Sequence, residues 1–180
     1  MNLPNKLSML RILMIPAFVV LALMNAAWAQ LAAVGVFILA SVTDALDGHI
    51  ARSRNLVTSF GKFIDPIADK LLVMSALVVL VERGRMPGWV CIVMLAREFA
   101  ISGFRLVAAG NGTVIAAGIL GKIKTVTQMI AVIALLLTCL SGVSQWMIVI
   151  ADACMYIAAF MTVLSGADYI IKNFDCIREM

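Results

Sequence analysis

Four aspartates, Asp44, Asp47, Asp65 and Asp69, stand within one short stretch, DALDGHIARSRNLVTSFGKFIDPIADK (residues 44–70), of a chain that is 63% hydrophobic. Asp44, Asp47, Gly48, Ala51 and Arg52 recur at i, i+3, i+4, i+7 and i+8, which is one face of a helix. Gly61, Asp65 and Asp69 recur at i, i+4 and i+8, again on one face. Two antiparallel helices joined by a short connection bring such faces together, so the four carboxylates converge. Carboxylates that close repel one another where water is scarce. Protonation, pairing with Arg52, Lys62 or Lys70, or binding of divalent cations relieves the repulsion. A salt-bridge network at the helix ends is the plain alternative. The stretch uses short Asp four times and Glu never, which suits hard cations of fixed geometry such as Mg²⁺ or Mn²⁺. Gly48 and Gly61 leave room for a bulky ligand. Two divalent ions roughly 3.5–4 Å apart stabilise both the entering and the leaving oxygen in a phosphoryl displacement. The residues therefore point to chemistry on a phosphate ester and do not identify the substrate.

The elements that must position these groups are apolar. Charged residues are 13% of the 180-residue chain and the mean hydropathy is +1.06, which is the composition of a polytopic membrane protein rather than a soluble domain. Hydrophobic runs predict an all-α protein with six transmembrane helices, at about 6–28, 32–53, 61–82, 88–109, 118–141 and 145–171. The breaks fall at NAAWAQ, RSRNLVTS, ERGRMPG, AAGNGT and SGVSQ, where Gly, Pro and polar residues gather. With about 20 residues per span, the length allows one membrane domain over residues 1–180 and no sizeable soluble one.

A net charge of +4 does not indicate nucleic acid here, because the basic residues lie at the ends of apolar runs. Alternating six helices puts Lys6, Arg11, Arg52, Arg54, Lys62, Lys70, Arg97, Arg105, Lys122, Lys124, Lys172 and Arg178 on one side and only Arg83 and Arg85 on the other. The populated side is expected to be cytoplasmic, with both termini and the aspartates. Lys6 and Arg11 before an apolar run imitate a signal peptide, but a retained first span explains them equally and the further spans follow at once. The sequon Asn111-Gly112-Thr113 falls on the cytoplasmic side and is read as chance. Cys91, Cys139, Cys154 and Cys176 form no C-x-x-C pair and are read as packing residues, as are the twelve methionines.

DALDGHIAR, eight residues, then GKFIDPIAD resembles the signature D-x-x-D-G-x-x-A-R-(x8)-G-x-x-x-D-x-x-x-D of the CDP-alcohol phosphatidyltransferases, with all eight fixed positions present. NLPNKLSMLRILMIP, SFGKFIDPIADKLL, AREFAISGFR and GKIKT extend the resemblance along most of the chain, toward the bacterial branch that uses glycerol 3-phosphate. The resemblance implies a homodimeric enzyme of phospholipid biosynthesis in the bacterial inner membrane, its site facing the cytoplasm. It implies that Asp44, Asp47, Asp65 and Asp69 hold two divalent cations, Mg²⁺ or Mn²⁺, with Asp69 also the general base. It further implies that Gly48, Arg52 and Thr58 hold the CDP part of CDP-diacylglycerol, with Asn5 and Arg11 closing that site. The guanidinium of Arg52 suits phosphate oxygens, although it also serves as an inside anchor, and Thr58 alone would serve as a helix cap.

The acceptor needs a cationic pocket of its own. Arg97 and Glu98 lie deep in the fourth predicted helix, Arg105 follows eight residues after Arg97, and Lys122 and Lys124 begin the fifth. Charge at that depth is costly and usually functional. Arg97, Arg105, Lys122 and Lys124 are therefore assigned to the acceptor phosphate, with Glu98 as their structural partner; inside anchoring is the alternative for the two lysines. The implied reaction transfers the phosphatidyl group of CDP-diacylglycerol to the 1-hydroxyl of sn-glycerol 3-phosphate, by single displacement, since no Ser or Cys nucleophile stands in the aspartate stripe. The alternative is the same chemistry on inositol phosphate, serine or phosphatidylglycerol. A cation transporter would place its carboxylates nearer the bilayer middle, often in repeated broken helices, and a scaffold would leave their spacing unexplained. His49 falls off the stripe and is read as solvent- or headgroup-facing.

Overall fold

The computed structural model describes the backbone over residues 3–53, 59–110 and 118–173, and side chains over 9–43, 67–68, 70–110 and 118–173. Six helices follow one another: α1 (Leu3–Leu23), α2 (Ala27–Ser53), α3 (Ser59–Glu82), α4 (Gly88–Gly110), α5 (Ile119–Leu137) and α6 (Gln145–Lys172). No strand occurs among the described residues. The first break comes earlier than the apolar pattern predicts: α1 ends at Leu23 rather than 28, and α2 begins at Ala27 rather than 32. The reason is tertiary. Arg83 donates from Nε to the Ala22 carbonyl, from NH2 to the Met24 carbonyl and from NH1 to Asn25 Oδ1, so a cation captures carbonyls that the end of α1 leaves without helical donors.

The chain forms two compact units. In the first, residues 1–85 with 136–143, α1 packs on α2 and α3. Ile15, Phe18 and Ala22 of α1, Ala29, Ala33, Phe37 and Ala40 of α2, and Leu72, Ala76 and Leu80 of α3 are buried at helical spacing. Phe18 and Phe37 meet with ring centroids 5.7 Å apart. α3 stops in a Schellman turn: Gly84 takes φ +66°, with Gly84 N–H on Val81 O and Arg85 N–H on Leu80 O. Arg85 Nε donates to Thr138 Oγ1, tying the turn after α3 to the turn after α5. α5 ends at Leu137 rather than at 141, because Cys139 N–H and Leu140 N–H close tighter bonds on Leu136 and Leu137.

In the second unit, residues 86–135 with 144–180, α4 packs on α6. The buried line of α6 is made of Ala151, Met155, Ala158, Ala159, Thr162, Ser165, Gly166 and Tyr169, mostly small residues that allow close helix approach. Hydroxyls inside the helices bond to their own backbone: Ser41 to Phe37 O, Ser75 to Leu71 O, Thr125 to Gly121 O and Thr162 to Ala158 O. The faces turned away from the packing are also apolar, with Leu13, Leu39, Ile92, Leu106, Phe160 and Ile171 exposed. By length and composition, α5 and α6 are each apolar enough to cross a membrane. Cys91 and Cys154 are free thiols.

Candidate active site

α2 runs unbroken through Asp44, Asp47, Gly48 and Arg52, and α3 through Asp65 and Asp69, so the backbone has the helical period that a shared face requires. The side chains of these residues, with those of Asn5 and His49, lie outside the described residues, as does Thr58 entirely. Among the described residues, no three His, Cys, Asp or Glu side chains come together. Arg11 of α1 is buried, with 2% of its surface exposed. An apolar cavity of about 470 Å³ opens between α1 and α3, lined by Val19, Leu23, Met74, Ser75, Val78, Val79 and Glu82. Its lining is hydrocarbon apart from Glu82 and a serine hydroxyl already bonded to Leu71 O, which gives it nothing to bind a nucleotide or a phosphate.

The basic residues expected to hold the acceptor are described, and three of the four come together in the second unit. Glu98 Oε1 accepts from Arg97 NH1 at 3.3 Å and from Lys124 Nζ, so one carboxylate of α4 pins a neighbour on its own helix and a lysine of α5. Lys124 is buried, 3% exposed. Lys122, two residues earlier and hence on nearly the opposite face, is exposed. Arg97 passes close to two glycines: a Cβ on Gly166 of α6 would stand 3.3 Å from Arg97 Cγ, and one on Gly121 of α5 would stand 3.8 Å from its NH2. Small residues at these two positions leave the side chain its path.

Arg105 lies two turns beyond Arg97 on α4, and its guanidinium carbon sits 5.7 Å from the centre of the Tyr169 ring, a cation–π contact. Phe104 meets the same ring edge-on at 5.8 Å. Arg97 Nε, Arg105 Nε, Gln128 Nε2 and the Tyr169 hydroxyl are all buried with no hydrogen-bond partner among the described residues. Buried donors left so are costly, about 1–3 kcal/mol each, and a ligand rich in acceptor oxygens would satisfy them. Nothing in the sequence alone marks Tyr169, Gln128 or Gly166. A tyrosine or glutamine in an apolar helix marks its role only through what packs against it, whereas Gly121 already stood in the GKIKT segment.

The model of the CDP-alcohol phosphatidyltransferase family matches residues 1–167. The chain belongs to that family. A Bacillus subtilis protein named CDP-diacylglycerol–glycerol-3-phosphate 3-phosphatidyltransferase is 47% identical over 98% of this chain and 97% of its own length. Proteins of the same name from Rickettsia typhi and Sodalis glossinidius are 40% and 37% identical. They cover 93% and 94% of this chain, and 94% and 93% of their own lengths. The transferase assignment made from the aspartate signature is thus the one the relatives carry.

Proposed function

We propose that this chain is a CDP-diacylglycerol–glycerol-3-phosphate 3-phosphatidyltransferase. The observation that carries the proposal is the complete eight-position signature from Asp44 to Asp69 in a chain 47% identical, nearly end to end, to a protein of that name. The 1-hydroxyl of glycerol 3-phosphate gives its proton to the Asp69 carboxylate as its oxygen bonds to the lipid-bearing phosphorus. The bond from that phosphorus to the oxygen of CMP breaks, and CMP departs with the electron pair. Arg52, Gly48, Thr58 and Asn5 hold the CDP portion, while Arg97 and Arg105, with Lys122 and Lys124, attract the acceptor phosphate. Asp44, Asp47, Asp65 and Asp69 form a short-armed, hard oxygen donor set that fits divalent cations. When bound, Mg²⁺ or Mn²⁺ offsets charge on the diphosphate and on the leaving CMP.

The same reading makes the chain a single membrane domain of six spans in the bacterial inner membrane, with both termini cytoplasmic, and, as the resemblance implies, a homodimer. Each helix has 19 residues or more, above the roughly 17 residues that the shortest membrane-spanning helices need. Tryptophan placement supports the alternation. The three tryptophans, Trp28, Trp89 and Trp146, are the second residues of α2, α4 and α6, and all are well exposed. In this topology those helix starts share the outer interface, where Trp prefers to sit. Arg83 and Arg85, the two cations on that side, are the ones engaged at helix ends and turns.

Two measurements test the catalytic core. Asp69→Asn is expected to retain the fold and abolish CMP release, and substantial turnover by that variant would remove Asp69 as the base. Chelation of divalent cations is expected to stop wild-type turnover and Mg²⁺ or Mn²⁺ to restore it; full activity in excess chelator would count against the donor-set assignment.

A further inference from the structure

We infer that Tyr169 is a further acceptor-binding residue, its hydroxyl donating a hydrogen bond to the acceptor's phosphate beside Arg105. The inference rests on the assignment of Arg97 and Arg105 to that acceptor. Three observations carry it. The Tyr169 ring is fixed from two directions, by Phe104 at an interplanar angle of 89° and by the Arg105 guanidinium over its face. Tyr169 is 8% exposed, yet its hydroxyl has no partner among the described residues, the same condition as Arg97 Nε and Arg105 Nε. Arg105 lies two turns beyond Arg97 on α4, and α6 meets both, through Tyr169 at Arg105 and Gly166 at Arg97, so the three donors belong to one locality.

The chemistry of that locality selects its ligand. Two guanidiniums on α4 and a phenol on α6 offer N–H and O–H groups, and a phosphate monoester dianion brings several acceptor oxygens able to take them together. The phenol adds direction without adding charge. Arg105 supplies attraction to any anion, whereas a hydroxyl held by a rigid ring orients one phosphate oxygen, and with it the 1-hydroxyl that must reach the lipid phosphorus. The ring seats Arg105 as well, so Tyr169 acts on the acceptor both directly and through its neighbour.

The test is the initial rate of CMP release against glycerol 3-phosphate concentration, in micelles containing CDP-diacylglycerol, for wild type, Tyr169→Phe, Tyr169→Leu and Arg105→Gln. Phenylalanine keeps the ring contacts and removes only the hydroxyl. Tyr169→Phe is expected to raise the acceptor KM about tenfold, the loss of one hydrogen bond to a charged group, while the KM for CDP-diacylglycerol stays within about twofold. Tyr169→Leu, which also unseats Arg105, is expected to raise it further. If Arg105→Gln raises the acceptor KM and Tyr169→Phe does not, the inference about Tyr169 is overturned and the acceptor pocket stands. If neither variant moves it, both fall. A second readout does not depend on the variants at 169. 3-Fluorotyrosine incorporated into Tyr156→Phe protein leaves Tyr169 as the only tyrosine, since the chain has two. Inorganic phosphate is expected to shift its ¹⁹F resonance, and an unmoved resonance at saturating phosphate would overturn the inference.

Discussion

Arg83 and Arg97 are the same side chain under opposite arrangements. Arg83, just past the end of α3, directs three nitrogens to the Ala22 carbonyl, the Met24 carbonyl and Asn25. Arg97, in the middle of α4, is tethered through NH1 to Glu98 and keeps a buried Nε with no partner among the described residues. Both are cations in a chain made largely of hydrocarbon, where an unsatisfied charge is expensive. The first is consumed by the backbone and holds a helix end. The second, with Arg105, retains buried donors that no described residue satisfies. Between Arg83 and Arg97, then, the difference lies in which donors are already bonded, more than in charge.

That contrast can be broken by exchanging the phenotypes. Arg97→Gln is expected to have the largest effect, lowering kcat/KM for the acceptor by about 10²–10³, as loss of a buried charge from a desolvated ion site does, with a melting temperature close to wild type. Arg83→Gln is expected to do the reverse. Thermal or denaturant unfolding in detergent should show a loss of about 3 kcal/mol, from charged hydrogen bonds removed and carbonyls left open, with the acceptor KM unchanged in the folded fraction. A catalytic defect in Arg83→Gln at full stability would erase the distinction. Glu98→Gln sharpens it from the other side, because it releases Arg97 and Lys124 together. The acceptor KM should rise about fivefold, the order expected for a lost orienting bond, although the pocket becomes more positive. The smallest effect belongs to the glycines. Gly166→Ala puts a methyl 3.3 Å from Arg97 Cγ and should raise the acceptor KM by roughly two- to threefold through that side chain, whereas Gly121→Ala, with 3.8 Å of clearance to NH2, should be silent in the same assay.

Much of this was legible beforehand. Six apolar runs separated by Gly, Pro and polar clusters forecast α1 to α6, and the depth of Arg97 and Glu98 in the fourth run marks them as costly enough to matter. The sequence marks Glu98 as a structural partner, and it pairs Arg97 and Lys124. What the pattern did not carry was tertiary. The end of α1 at Leu23 depends on a cation sixty residues away in sequence, at Arg83, which apolar periodicity does not register. Tyr169 looks like any aromatic in an apolar helix until Phe104 and Arg105 are seen against its ring. The tryptophans are a different case: their recurrence at the start of every second helix is readable from the sequence, and it bears on the same alternation as the distribution of Lys and Arg.

The most direct test of the central claim is acceptor-dependent release of CMP from CDP-diacylglycerol by the purified protein with Mg²⁺ or Mn²⁺, measured across glycerol 3-phosphate, inositol phosphate, serine and phosphatidylglycerol. The account predicts rapid release with glycerol 3-phosphate, formation of phosphatidylglycerophosphate in equal amount, and little with the rest. Preferred turnover of inositol phosphate, or CMP release that ignores the acceptor altogether, would contradict it.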